Sequence, residues 1–81
     1  MPTVLRLCGF AFYFYAHEST EPPHVHVDKG DGTLKLWLSP VRVAWTSDLK
    51  PAEVRRAVLL AEENEYLLLE KWHEFFDDKG L

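Results

Sequence analysis

The sequence predicts an α+β fold: an antiparallel sheet of four to five strands with a long C-terminal helix packed on one face. Three observations predict it. The first half is rich in β-branched and aromatic residues, broken by Cys8-Gly9 and Gly30-Asp31-Gly32. From Pro51 onward apolar residues recur at helical spacing. Alternation along the strands collects apolar side chains on one face, which a helical stripe can cover.

Thr3–Leu7 and Phe10–Tyr15 read as the first two strands, joined at Cys8-Gly9 so that Leu7 opposes Phe10 and Leu5 opposes Phe12. Ala16–Pro23 is a polar loop that Pro22-Pro23 stiffens at its exit, because a proline biases the residue before it toward extended backbone. His24–Lys29 and Thr33–Ser39 follow. An Asp31-Gly32 turn, a strong hairpin signal, puts Asp28 opposite Lys35, Val27 opposite Leu36 and His26 opposite Trp37. Pro40 interrupts the ladder, and Val41–Trp45 reads as a short edge strand. Pro51 suits a first helical turn and Glu53 suits the positive end of the helix dipole, with Asp48 or Lys50 at the cap.

Val54, Ala57, Val58, Ala61, Leu68, Leu69, Trp72, Phe75 and Phe76 make one helical stripe, with Gly80 placed to end the helix. Leu59, Leu60, Tyr66 and Leu67 fall off that stripe. Either the helix bends near Glu62-Glu63-Asn64-Glu65, or its back meets another surface, most simply a second copy.

The strand residues sort into two faces. Leu5, Leu7, Phe10, Phe12, Phe14, Val25, Val27, Leu34, Leu36 and Leu38 form an apolar face for the helix. Arg6, Tyr13, Tyr15, His24, His26, Asp28, Lys35 and Trp37 form the other. Rings mixed with ionisable groups mark this second face as a binding surface, exposed as a His-x-His face toward a partner or a metal. A dimer interface without chemistry enriches the same residues and stands beside that reading.

With 81 residues the chain is read as one domain, residues 1–81, and 47% hydrophobic content argues against disorder. A net charge of −4 argues against a duplex-DNA binder, which needs a cationic footprint. A lone Cys8 permits no internal disulfide and fits a cytoplasmic setting. No leader pattern opens the chain, and no apolar run is long enough to span a bilayer.

Glu21-Pro22-Pro23-His24-Val25-His26-Val27 is the most specific stretch. Residues i and i+2 of a strand share a face, so His24 and His26 form an imidazole pair. Such a pair can chelate a divalent transition metal such as zinc, given a third ligand. His17 and Glu21 are the better third ligands, as covalent neighbours of the strand; Glu18 and His73 are further options. The pair can also act as general base and acid on RNA or another phosphate ester, with Lys35 and Arg6 steadying the charge and Tyr13, Tyr15 and Trp37 stacking on bases. Against both readings, two polar residues on a wet face need no chemistry at all. Trp72-His73-Glu74 is not a facing pair, since successive helical residues diverge by ~100°. Cys8 reads as a turn residue, and Arg55-Arg56 as a solvated pair able to touch an acidic partner.

Pro2-Thr3-Val4-Leu5-Arg6, Phe12-Tyr13-Phe14-Tyr15, the Glu21–Val27 stretch and Leu69-Glu70-Lys71-Trp72-His73-Glu74-Phe75-Phe76 together resemble the small prokaryotic family domain of unknown function 4160. Members are often encoded beside another small protein, in arrangements that look like toxin–antitoxin modules. The resemblance therefore implies a small protein partner and a regulatory role, and it supplies no reaction. The residues and the resemblance together favour a non-enzymatic interaction protein that also forms a homodimer. The alternative is a small metal- or histidine-dependent enzyme.

Overall fold

Each strand pairs with the next in chain order, and the sheet is accordingly a meander. The computed structural model describes residues 3–15 and 20–77. Five strands, β1 (Thr3–Leu7), β2 (Phe10–Tyr13), β3 (His24–Lys29), β4 (Gly32–Leu38) and β5 (Val41–Ser47), lie side by side in chain order, all antiparallel. Two helices, α1 (Pro51–Glu63) and α2 (Glu65–Asp77), follow.

The first hairpin has the expected register, Leu7 opposite Phe10 and Leu5 opposite Phe12. Its turn residues Cys8 and Gly9 take φ of 52° and 82°, the positive values that a type I′ turn demands. The second hairpin differs. Its loop is Gly30-Asp31, with Gly30 at φ 58°, and Gly32 enters the ladder opposite Lys29. Val27 therefore opposes Leu34, His26 opposes Lys35 and His24 opposes Trp37, two residues away from the expected pairing. A slip of two keeps every side chain on its face, so the expected faces survive the correction. Gly32 is required in the ladder by a close approach. A Cβ there would strike the Leu49 side chain and lie 2.5 Å from the Asp48 carbonyl oxygen, on the connection into α1.

Strand β5 extends to Ser47, two residues beyond the expected edge strand, with an irregularity opposite Lys35/Leu36. The expected single long helix is two. Asn64 leaves helical backbone at φ −116°, ψ 20°, and its Nδ2 donates to the Leu60 carbonyl at 2.8 Å, ending α1. The bend anticipated near Glu62–Glu65 is thus the junction of α1 and α2, at Asn64. Lys50 occupies the cap position of α1, its N–H donating to Glu53 Oε1 at 2.9 Å. Gly80 lies outside the described residues.

The core sits between the apolar sheet face and the helices. Phe12, Phe14, Val25, Val27, Leu34, Leu36 and Leu38 are fully buried against Ala57, Ala61, Leu68, Trp72 and Phe76. Each such large side chain contributes on the order of 1.5–3 kcal/mol on burial. Ala57 and Ala61 of α1 and Leu68, Trp72 and Phe76 of α2 all belong to this core. No helix among the described residues is long and apolar enough to cross a membrane.

Candidate functional site

The outer sheet face is built from alternate residues of β2 to β5. Tyr13, His26, Lys35 and Trp45 run across it in register, flanked at the start of β3 by His24 and Trp37. The expected grouping of Tyr13, Tyr15, His24, His26, Lys35 and Trp37 is present. Arg6 is exposed on the edge strand β1, opposite Ala11.

The expected exposure of the histidine pair is not. His24 is 1% exposed and His26 4%. Neighbouring rings close over them. Tyr15 stands edge-on to His26 at 4.4 Å between centroids, and Tyr13 stacks on it at 5.6 Å. The two imidazoles lie 5.3 Å apart at 82°. Trp37 flanks His24 from β4, and Trp72 of α2 reaches it at 5.0 Å. Trp72 also meets Phe14 edge-on, so this one indole spans the end of the sheet and touches residues of both faces. Helical spacing assigns Trp72 to the core and does not reveal the second contact.

Polar groups on this face are matched to one another. His24 Nδ1 lies 2.9 Å from the Pro22 carbonyl, which makes Nδ1 the donor. The double proline therefore does more than stiffen the loop, because it presents the carbonyl that fixes the His24 ring. Glu21 Oε1 accepts from Lys35 Nζ at 2.7 Å and lies 3.7 Å from His24 Nδ1. That ion pair ties the incoming loop to β4, while Lys35 Nζ also sits over the Trp37 ring at 4.7 Å. Tyr13 Oη donates to Asp28 Oδ1 at 2.9 Å. Burial, then this hydrogen bond, pushes the Tyr13 phenol well above the ordinary tyrosine range.

Of the tentative metal ligands, His24 lies beside His26 and 3.7 Å from Glu21, whereas His17 and Glu18 lie outside the described residues. Among the described residues no three His, Cys, Asp or Glu side chains are grouped to hold a metal ion. His73 is exposed on α2. Cys8 is exposed in its turn, 3.6 Å from Arg56 Nη2.

Sequence reasoning omitted Trp45 from the site, because a short edge strand after Pro40 gave it no assigned face. Trp45 opposes Lys35, approaches His26 at 6.5 Å and remains 46% exposed. Arg42, exposed and opposite Trp37, extends the same rim.

No curated protein and no solved structure matches the chain. A family model described as a domain of unknown function, DUF4160, matches residues 9–73, from the first turn through the fold to the Trp72-His73 step of α2. The match takes in His24, His26 and α2 as far as His73, and on that extent the chain belongs to the DUF4160 family.

Proposed function

We propose that this chain is a non-enzymatic interaction module of the cytoplasm that binds a small protein partner through its outer sheet face. One observation carries the reading: the histidines are sealed among rings, while Trp45 beside them stays 46% exposed. A general acid needs a nitrogen that substrate can approach, and burial of both rings withholds it. A buried ring held by the Pro22 carbonyl instead supplies a rigid floor. Above that floor the rim is Trp37, Trp45, Tyr15 and Arg42, the residue types that carry most binding energy at protein interfaces. The toxin–antitoxin-like arrangements implied for relatives supply a natural partner, a small protein encoded alongside.

The experiment is isolation of untagged protein from its native host, with mass spectrometry and metal analysis on the same sample. A second small chain in stoichiometric amount, lost on Trp45→Arg while circular dichroism is unchanged, is the expected result. Protein free of any second chain that carries a stoichiometric metal, lost on His24→Ala with His26→Ala, overturns this reading in favour of the metalloenzyme.

A further inference from the structure

Strand β5 ends the sheet, and α1 packs beside it on the core face. Between them lies a groove of about 390 Å³, lined by Val43, Val54, Arg55, Val58 and Leu59. Two of those walls are open to solvent: Val43 is 44% exposed and Leu59 59%.

The charges along α1 are arranged around this groove in an uncommon way. Arg55 and Arg56 lie in its first half, whereas Glu62 and Glu63 occupy its last turn. All four are exposed. Glu53 in the first turn suits the helix dipole, whereas Glu62 and Glu63 at the other end oppose it. Nor can Arg55 readily meet Glu62 within one helix, because seven residues separate them by about 10 Å along the axis. Arg56 leans toward Cys8, which leaves Arg55 as the cation at the groove. In a lone chain these placements bring no evident gain.

They become complementary against a second copy. If two α1 helices lie antiparallel about a two-fold axis between Val58 and Leu59, residue 58 meets 59 and residue 55 meets 62. Each copy then contributes the same patch to the other, as an isologous contact requires. Leu59 of each enters the Val43–Val54–Val58 groove of its partner, and Arg55 of each stands opposite the other's Glu62. The antiparallel neighbour also offsets the dipole that Glu62 and Glu63 oppose.

We propose that the chain forms a two-fold dimer through α1 and the β5 edge, with Leu59 seated in the partner's groove and Arg55 paired with the partner's Glu62. This surface is separate from the outer face that carries the proposed partner, so either proposal can fail alone.

The test is analytical ultracentrifugation of the full chain and its variants. Leu59 is exposed, so Leu59→Arg keeps the fold by circular dichroism and weakens self-association at least about tenfold. Arg55→Glu and Glu62→Arg each leave like charges facing and weaken the dimer similarly. Mixing those two variants restores a dimer containing one of each, because both contacts are then opposite in sign. A parent that is monomeric at every concentration overturns the proposal. So does a dimer indifferent to Leu59→Arg, or a pair of charge variants that do not recover on mixing.

Discussion

Trp72 joins the core to the histidine face, and its replacement separates those two roles. The indole is almost fully buried, with ring centroids 4.0 Å from Phe76, 5.5 Å from Phe14 and 5.0 Å from His24. Truncating a buried Trp to Ala costs about 3–5 kcal/mol. A chain of 81 residues has a total stability of about 4–12 kcal/mol, at ~0.05–0.15 kcal/mol per residue. We predict that Trp72→Ala removes a large fraction of the fold's stability. Trp72→Phe keeps a ring against Phe14 and Phe76 but withdraws it from His24, for about 1–2 kcal/mol.

With an m-value of about 1–1.5 kcal/mol/M for a domain this small, the urea midpoint of Trp72→Phe falls by roughly 1 M. Far-UV circular dichroism should follow the transition, since removing an indole alters fluorescence in any case. Modification of His24 by diethyl pyrocarbonate, located by mass spectrometry, gives an independent reading. The parent protects His24, and the Phe variant exposes it while still folded. A Trp72→Ala protein within about 1 kcal/mol of the parent sinks the argument. Equal labelling of His24 in parent and Phe variant sinks it too.

Two further predictions concern the sheet. Gly32→Ala places a methyl against the Asp48 carbonyl and the Leu49 side chain, and we predict a loss of about 1–3 kcal/mol in thermal or urea unfolding, whereas Gly30→Ala, with open space around it, is penalised only by its positive φ. Burial and the Asp28 hydrogen bond hold the Tyr13 phenol above its ordinary value of 10.0, so the folded chain keeps a proton that the unfolded chain releases. That stability is full below about pH 10 and declines as pH rises further; urea midpoints from about pH 8 to 11 should decline less steeply in Tyr13→Phe, and an unchanged slope would rule out the coupling.

The division of the sheet into faces was legible because alternation depends only on strand phase. Even the mistaken Asp31-Gly32 turn left Val25, Val27, Leu34 and Leu36 on the core side, since the error was an even number of residues. Placing the turn itself required knowing that Leu49 and the Asp48 carbonyl crowd position 32, a contact between segments that no local pattern encodes. The break at Asn64 was half visible, as a phase mismatch between Leu59 or Tyr66 and the stripe. The closed state of His24 and His26 was not visible. Burial of a polar strand face depends on what arrives from elsewhere, here Trp72 from α2 and Tyr15 from just beyond β2. Pairing Lys35 with Glu21 rather than Asp28 follows from the corrected register together with the path of the loop.

The meander also bears on how the molecule assembles in time. Strands that neighbour one another in space also neighbour one another in the chain, so the ladders close small loops, which is the arrangement that lets a sheet form quickly. The contact of Trp72 with Phe14 and His24 joins segments far apart in the sequence and carries the largest closure entropy in the site. We predict that docking of α2 belongs to the late side of the folding barrier. Substitutions at Trp72 should act mainly on the rate at which the native state opens, leaving the rate at which the hairpins form nearly untouched. On this view the histidine face is the last part of the protein to be completed and the first to be lost.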